Sequence, residues 1–414
     1  MAKELYTISM KKTYLISFAL LALILLFVWQ KGIVPNQSLN IKPPVSGIPT
    51  TTPAENLSLT VPSGFVISSF AKGVTGARVI SFAPDGVLLV SETSQGKVVA
   101  LPDKNDDGKA DEIVTVVSGL KQPHGMAFRC TDPNNPSVCA LYIAETDSVS
   151  QFEYDPVNFK ATGKKKLVDL PSGGRHFTRT LLFMPSPNEN TLLISVGSSC
   201  DVCNESDSRR AKVLAYDIGT KKLEEFSRGL RNSVFMQIHP VTGAIWATEM
   251  GRDYLGDSLP PDEINILQKG ANYGWPNCYG NNVHDAVFDT RNQNSCALPN
   301  QVPSHIELPA HGAPLGLDFF PEEGWPEEYW YNSLVALHGS WNRNVPDGYK
   351  IVRIKLDAQG KYSGSFPAGE DFITGWLKAD GTKTGRPVDI KILPGGVMYI
   401  SDDLKGTIYR VSRM

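Results

Sequence analysis

Apolar and polar residues alternate along this chain in short bursts, and the bursts repeat. An apolar strand runs into a turn of Pro, Gly, Asp or Asn. A second apolar strand follows, then a polar loop that often leads to a third. The copies are ISFAPDGVLLVSE (80–92), MAFRCTDPNNPSVCALYIAE (126–145), LLFMPSPNENTLLISVG (181–197), MQIHPVTGAIWATE (236–249), LDFFPEEGWPEEYWYNSLVAL (317–337) and IKILPGGVMYISD (390–402). Third strands are visible as KVVAL (97–101), VSQFEY (149–154), KVLAYD (212–217), YKIVRIKL (349–356) and TIYRVS (407–412). Six short strand sets predict an all-β repeat architecture, the six-bladed β-propeller, over residues 59–414. A blade of three or four strands cannot bury both faces alone, and packing against neighbours round a ring does so. The segment LTVPSGFVISSF (59–70) is expected to close the ring against the last blade.

Before the repeats the pattern changes. Residues 13–29 (TYLISFALLALILLFVW) carry no charge and follow Lys11 and Lys12. No small-x-small cleavage pattern follows. Residues 1–31 therefore read as an N-terminal hydrophobic anchor helix, with a cleaved signal segment and a secreted body as the alternative. The basic flank puts the body outside the cytoplasm, in the periplasm or at the cell surface. Residues 32–58, rich in Pro, Ser, Thr and Asn, read as a disordered linker.

Composition adds two constraints. With 414 residues, 41% hydrophobic, the chain can bury a large core; a net charge of −3 offers no basic face for nucleic acid. Six cysteines fall into close pairs, Cys130/Cys139, Cys200/Cys203 and Cys278/Cys296, which suits local disulfides in an oxidising compartment. A zinc site on Cys200 and Cys203 would need a second ligand pair, and none stands nearby.

Candidate chemistry lies in the polar loops that precede each inner strand pair. They carry Pro123-His124-Gly125, Gly174-Arg175-His176, Arg231-Asn232, His311-Gly312, His338–Arg343 (HGSWNR) and Gly385-Arg386-Pro387-Val388-Asp389. Four of the seven histidines fall here, at one phase of successive repeats, so these loops should meet at one mouth of the ring. Arg231, Arg343 and Arg386 would line it with groups that pair with planar carboxylates. A neutral histidine is a natural base toward a substrate hydroxyl. The alternative is that these arginines pair with loop carboxylates. Separately, Asp103, Asn105, Asp107 and Asp111 surround Gly108 in a spacing like the start of a calcium loop, without its closing Glu. A solvated acidic turn is the other reading.

Four motifs carry a family resemblance: Gly229-Leu230-Arg231-Asn232, Glu249-Met250-Gly251-Arg252, Asp262-Glu263-Ile264-Asn265 and Asn272-Tyr273-Gly274-Trp275-Pro276. With the His and Arg loops, they resemble the glucose/sorbosone dehydrogenases, six-bladed propellers that use pyrroloquinoline quinone (PQQ) and calcium, and in particular the sorbosone-dehydrogenase branch. The resemblance implies oxidation of an aldose-type sugar, with electrons passed to a quinone or periplasmic carrier. It implies His176 as general base and Arg231 beside the reacting quinone oxygen. Asn232, Arg386 and, by loop phase, His124, His311 and Arg343 become cofactor contacts. The backbone carbonyls of Gly251 and Arg252 hold the calcium, braced by Asp262–Pro276. Ser198 stands where soluble members carry an Asp that orients the base, with Asp201 as a replacement. Val234 stands in place of a Gln, and Gly339 near the place of a Lys, whose role would pass to Arg343 or His338. A calcium-dependent lactonase-like propeller would need a ring of Asp, Glu and Asn at the channel. A non-catalytic glycan- or protein-binding propeller would use aromatics such as Trp325, Trp330 and Trp341.

Overall fold

The computed structural model describes residues 57–132, 135–291 and 295–414. The expected anchor helix and nearly all of the expected linker lie outside the described residues. The body is a ring of six four-stranded antiparallel blades. Blade 1 is Ala77–Phe82, Leu88–Glu92, Lys97–Leu101 and Val114–Ser118; blade 2 is Met126–Cys130, Cys139–Glu145, Ser148–Asp155 and Lys160–Asp169. Blade 3 is Leu181–Phe183, Thr191–Val196, Lys212–Asp217 and Leu223–Arg228; blade 4 is Met236–Ile238, Ile245–Glu249, Asp262–Leu267 and Ile306–Leu308. Blade 5 is Pro314–Phe319, Ser333–Leu337, Lys350–Ile354 and Glu370–Ile373. Blade 6 takes Pro387–Leu393, Val397–Asp402 and Thr407–Arg413 from the C-terminus and its outer strand, Phe65–Lys72, from the start of the body.

That last pairing is the expected ring closure. Phe65 pairs with Arg413 and Lys72 with Thr407. Phe65 also packs against Trp325, Tyr329 and Phe372, at 6.1, 5.6 and 5.5 Å between ring centroids. Leu57, Leu59 and Val61 join the same cluster.

Strands that read as continuous apolar runs are buried on both faces. Leu141 and Ile143 pack toward blade 1, while Tyr142 and Ala144 pack with Leu192, Ile194 and Leu214 of blade 3. The period-two alternation thus divides one strand between two neighbours. Each such aliphatic side chain contributes roughly 1.5–3 kcal/mol, so the ring is held mainly between blades. Carboxylates stitch the inner strands: Asp389 accepts the Ile80 N–H at 2.9 Å and Asp318 that of Ile392 at 2.8 Å.

Two strand assignments change. The fourth, outer strands carry few apolar residues, as in Lys160–Asp169, and gave no signal in the sequence pattern. Asp262–Leu267, expected as a brace after the metal loop, is the third strand of blade 4, pairing Glu249 with Glu263. All three expected disulfides are formed.

Neighbouring strands run antiparallel, so loop positions follow from strand order. The loop leading into a first strand and the loop joining second to third leave from one rim. Loops joining first to second, and third to fourth, leave from the other.

Candidate active site

By that rule one rim collects Arg78, His124, His176, Arg231, Asn232, His311 and Arg386 from the loops or first residues ahead of inner strands. The same rim receives Ser198–Cys203, Met250–Asp253, His338–Arg343 and Asp402–Asp403 from second-to-third connections.

His176 sits half-buried. Its Nδ1 lies 3.0 Å from the Ser198 carbonyl oxygen and 2.9 Å from the Ser198 hydroxyl. That hydroxyl donates to the Cys200 carbonyl at 2.6 Å. Both Ser198 oxygens therefore face Nδ1 as acceptors, which places the proton on Nδ1 and leaves Nε2 as the free lone pair. Gly197 lets His176 approach Asn232: a Cβ there would lie 2.6 Å from the Asn232 side-chain oxygen and 2.7 Å from His176 Cβ. Burial, then the nearby Arg231 cation, holds the imidazole pKa well below its ordinary value, so the ring is neutral. Asp201, expected to orient His176, does something else. Ser198 holds the histidine, and Asp201 holds Arg231.

Arg231 is buried and pinned from three sides. Nε donates to the Asp201 carbonyl at 2.9 Å, and one terminal nitrogen reaches Asp201 Oδ1 at 2.7 Å and Asp253 Oδ2 at 3.2 Å. Asp253 also pairs with Arg175 at 2.6 Å, and Trp275 donates to the Asp201 carbonyl at 3.2 Å. Beneath lies the 250–261 loop. Gly251 donates its N–H to Asp262 at 2.9 Å, and Asp262 also accepts from Ala313 at 2.9 Å. Among the described residues no hydrogen bond reaches the carbonyl of Gly251 or Arg252. Three buried carboxylates stand close by, Glu249, Asp262 and Glu263, and none forms an ion pair among the described residues. Burial raises Asp262 and Glu263 to about 7 and pushes Glu249 well above its usual range. Glu249 accepts the Asn232 N–H at 2.8 Å with one oxygen, while its other oxygen has no partner among the described residues. A small cavity of about 20 Å³ lies among Arg231, Glu249, Gly251, Glu263 and Trp275, room for one water or ion. This side of the mouth suits a hard cation.

The opposite side is cationic. Arg78 pairs with Asp403 at 2.8 Å, and His338 reaches the same carboxylate at 3.0 Å. Burial alone would raise Asp403, but the His338 hydrogen bond and the Arg78 and Arg386 charges bring it to about 2. Among the described residues the Arg386 guanidinium donates only to the His338 and Gly339 carbonyls, both at 3.2 Å. It lies 5.7 Å from the Tyr349 ring centroid, and exposed Lys383 lies 5.1 Å from that centroid. Gly339 lies against the same ring, since a Cβ there would fall 2.3 Å from Tyr349. Arg386, expected as a cofactor contact, thus stands on this side with His338, and Lys383 adds a further cation.

Other expected residues play supporting parts. His311 Nε2 is held by the Gly256 and Leu259 carbonyls at 2.8 and 3.0 Å, and Arg343 donates to the Ala310 carbonyl at 3.0 Å. Both brace loops. His124 is fully buried against Phe235, below the mouth, and Val234 is a core residue. Trp325 is buried and Trp330 half-buried, while Trp341 is 60% exposed and meets Tyr254, 67% exposed, at 5.8 Å. The Asp103 loop belongs to the opposite rim. Asp103 accepts N–H groups of Asp107 and Gly108, and Asp111 accepts that of Lys104, so these carboxylates turn onto their own backbone.

A family model described as TrAA12-like matches residues 59–414, the whole propeller. The chain belongs to the TrAA12-like family. A PQQ-dependent pyranose dehydrogenase of Coprinopsis cinerea is 26% identical over 418 aligned positions, covering 87% of this chain and 56% of that protein. The chain thus spans little more than half the length of that relative. An iodide structure and a calcium structure of Trichoderma reesei Carbohydrate-Active Enzymes Family AA12 superpose with TM-scores of 0.75 and 0.74 at 22% identity. They cover 88% and 86% of this chain and 100% and 97% of theirs, and show the shared fold.

Within this TrAA12-like propeller, sequence reading missed Arg78 and Lys383. Arg78 had a usable signal. Gly76-Ala77-Arg78 opens the inner strand of blade 1 much as Gly385-Arg386 opens that of blade 6. Lys383 had none, because its role depends on Tyr349 arriving from another blade.

Proposed function

We propose that the chain is a PQQ- and calcium-dependent dehydrogenase of aldose-type sugars. The observation that carries this reading is His176, neutral, with Nδ1 tied to Ser198 and Nε2 free, beside Arg231 and Asn232. The two sides of the mouth fit the two groups that the resemblance implies. Arg386, Lys383 and Arg78 would hold the carboxylates of a flat tricarboxylate. The carbonyls of Gly251 and Arg252, above Glu249, Asp262 and Glu263, would hold calcium. When bound, the quinone supplies a hydride acceptor and the metal a Lewis acid.

The protein then has three tasks. His176 Nε2 takes the proton from the substrate hydroxyl. Arg231, fixed by Asp201 and Asp253, stabilises negative charge developing beside it. Trp341 and Tyr254, exposed on neighbouring loops of the same rim, offer ring faces to the apolar side of a pyranose. A lactonase-like hydrolase would need metal-binding carboxylates from several blades around the channel, and here Glu249, Asp262 and Glu263 all belong to blade 4. Three disulfides support an extracytoplasmic setting, where a membrane quinone or a periplasmic carrier would accept the electrons.

The test is reconstitution of the purified body with PQQ and calcium, followed by dye reduction with a panel of aldoses. Saturable spectral change and sugar-dependent turnover are expected. Absence of any spectral change at high calcium would sink the proposal.

A further inference from the structure

The Ser198 hydroxyl faces two acceptors. One is the Cys200 carbonyl at 2.6 Å and the other is His176 Nδ1 at 2.9 Å. It has one proton to give. If the proton goes to Cys200, Nδ1 must carry its own hydrogen and Nε2 is a base. If it goes to Nδ1, the ring hydrogen moves to Nε2 and the base is lost. The Ser198 carbonyl, 3.0 Å from Nδ1, already favours the first arrangement, and the Cys200 carbonyl completes it by taking the hydroxyl proton, so that both Ser198 oxygens accept from Nδ1.

The Cys200 carbonyl sits in a loop closed on itself by the Cys200–Cys203 bridge. The loop is fastened further by Glu205, which accepts the Ser199 N–H at 2.5 Å and the Ser199 hydroxyl at 2.7 Å. Within the bridge, Asp201 holds Arg231 through its carbonyl and its carboxylate. The Ser198 N–H also donates to the Arg231 carbonyl at 2.7 Å. One short covalent loop therefore touches both residues that the proposed chemistry needs.

We propose that the bridged loop Ser198–Cys203 is a positioning element that sets the tautomer of His176 and the place of Arg231. It stands in for a carboxylate behind the histidine. A carboxylate would accept from Nδ1 and also favour the protonated ring; the Ser198 arrangement fixes the tautomer while leaving the ring neutral. Opening the bridge frees the Cys200 carbonyl, and the Ser198 hydroxyl can then turn to Nδ1. This inference rests on the reading of His176 as the base only for its effect on turnover; the tautomer stands independently of it.

The experiment uses the full propeller labelled with ¹⁵N-histidine, at neutral pH and without cofactor. The His176 signals are assigned by their loss in His176→Gln. Wild type should show Nδ1 protonated and Nε2 unprotonated. The Cys200→Ser/Cys203→Ser variant should show a second population with the hydrogen on Nε2, as should wild type treated with a phosphine reductant if the variant fails to fold. Adding Ser198→Ala to the bridge variant removes the competing donor and should restore the single Nδ1–H form. A bridge with a merely structural role would not be rescued this way. The proposal is overturned if wild type carries the hydrogen on Nε2, if opening the bridge leaves the tautomer unchanged, or if Ser198→Ala fails to restore it. Turnover with PQQ and calcium is read separately. The expected tautomer pattern with no turnover in any variant would count against the dehydrogenase reading and leave the positioning role standing.

Discussion

The two sides of the mouth are built on opposite principles. On the blade 3–4 side the arginines are locked: Arg231 lies between Asp201 and Asp253, and Arg252 pairs with Asp285 at 2.8 Å. The carboxylates left over are buried and lack a cation among the described residues. On the side of blades 5, 6 and 1 the balance is reversed. Asp403 serves both Arg78 and His338, and Arg386 rests on neutral carbonyls. The first side is preorganised around a reacting centre and short of positive charge. The second is short of negative charge. A ligand that pairs a metal with several carboxylates settles both deficits at once. Chemistry should therefore be sensitive to changes on the first side, and affinity to changes on the second.

The sharpest way to break this division is His176→Ala. Loss of a positioned general base should cost about 10²–10⁴-fold in kcat, with cofactor affinity, read by spectral titration, unchanged. Equal losses in affinity and kcat would put His176 in the binding half. Next comes a matched pair. Arg231→Ala should lower kcat by about 10²–10³-fold at saturating cofactor, as removal of a preorganised charge donor does. Arg386→Ala should instead weaken cofactor binding about 10–100-fold, the worth of one charge-assisted contact, and leave saturated kcat near wild type. If the two variants behave alike, the asymmetry has no functional meaning.

The acidity of His176 gives a finer test. Its folded pKa is depressed by burial and by Arg231, so the ring stays neutral where an ordinary histidine would gain a proton. The acid limb of kcat should therefore not fall near pH 6.5, the ordinary histidine value; neutral base persists as pH drops and is lost only below the depressed value. Replacing Arg231 by Gln removes part of the cause and should move the limb upward. The same sign holds for stability: the unfolded ring binds a proton below about 6.5 while the folded ring does not, so this group destabilises the fold as pH falls. A pH–rate profile of wild type with its limb at the ordinary histidine value would contradict the buried, neutral ring.

Much of this was legible in the chain, and the limits have physical causes. The blade count followed from apolar runs because inner and middle strands are buried on both faces, as Leu141 and Tyr142 show by facing different neighbours. Outer strands face solvent on their free edge, so Lys160–Asp169 left no such trace. His176, Arg231 and Asn232 could be named because one loop phase delivers them. What those residues touch could not. Asp201 and Ser198 are three apart, yet one turns to Arg231 and the other to His176, in a loop that the Cys200–Cys203 bridge closes. His311 and Arg343 had the expected phase, and the carbonyls of adjacent loops that they bind could not be read from the chain.

The smallest effect concerns the outer edge of the mouth, where both sides meet. Trp341 comes from the blade 5 loop and Tyr254 from the blade 4 loop, and Arg175 lies 5.4 Å from the Trp341 ring centroid. Arg175 is also the ion-pair partner of Asp253, which helps to hold Arg231. The exposed rings thus sit on the locked network without belonging to it. Trp341→Ala should remove about 1 kcal/mol of stacking and raise KM for a pyranose roughly 3- to 10-fold. Saturated kcat should be kept, because Arg175 keeps its carboxylate when the ring is gone. Trp341→Phe should recover most of the loss. A fall in kcat with KM unchanged would show that the ring acts through Arg175 on the reacting centre, and the division between locked and open groups would then extend to the surface.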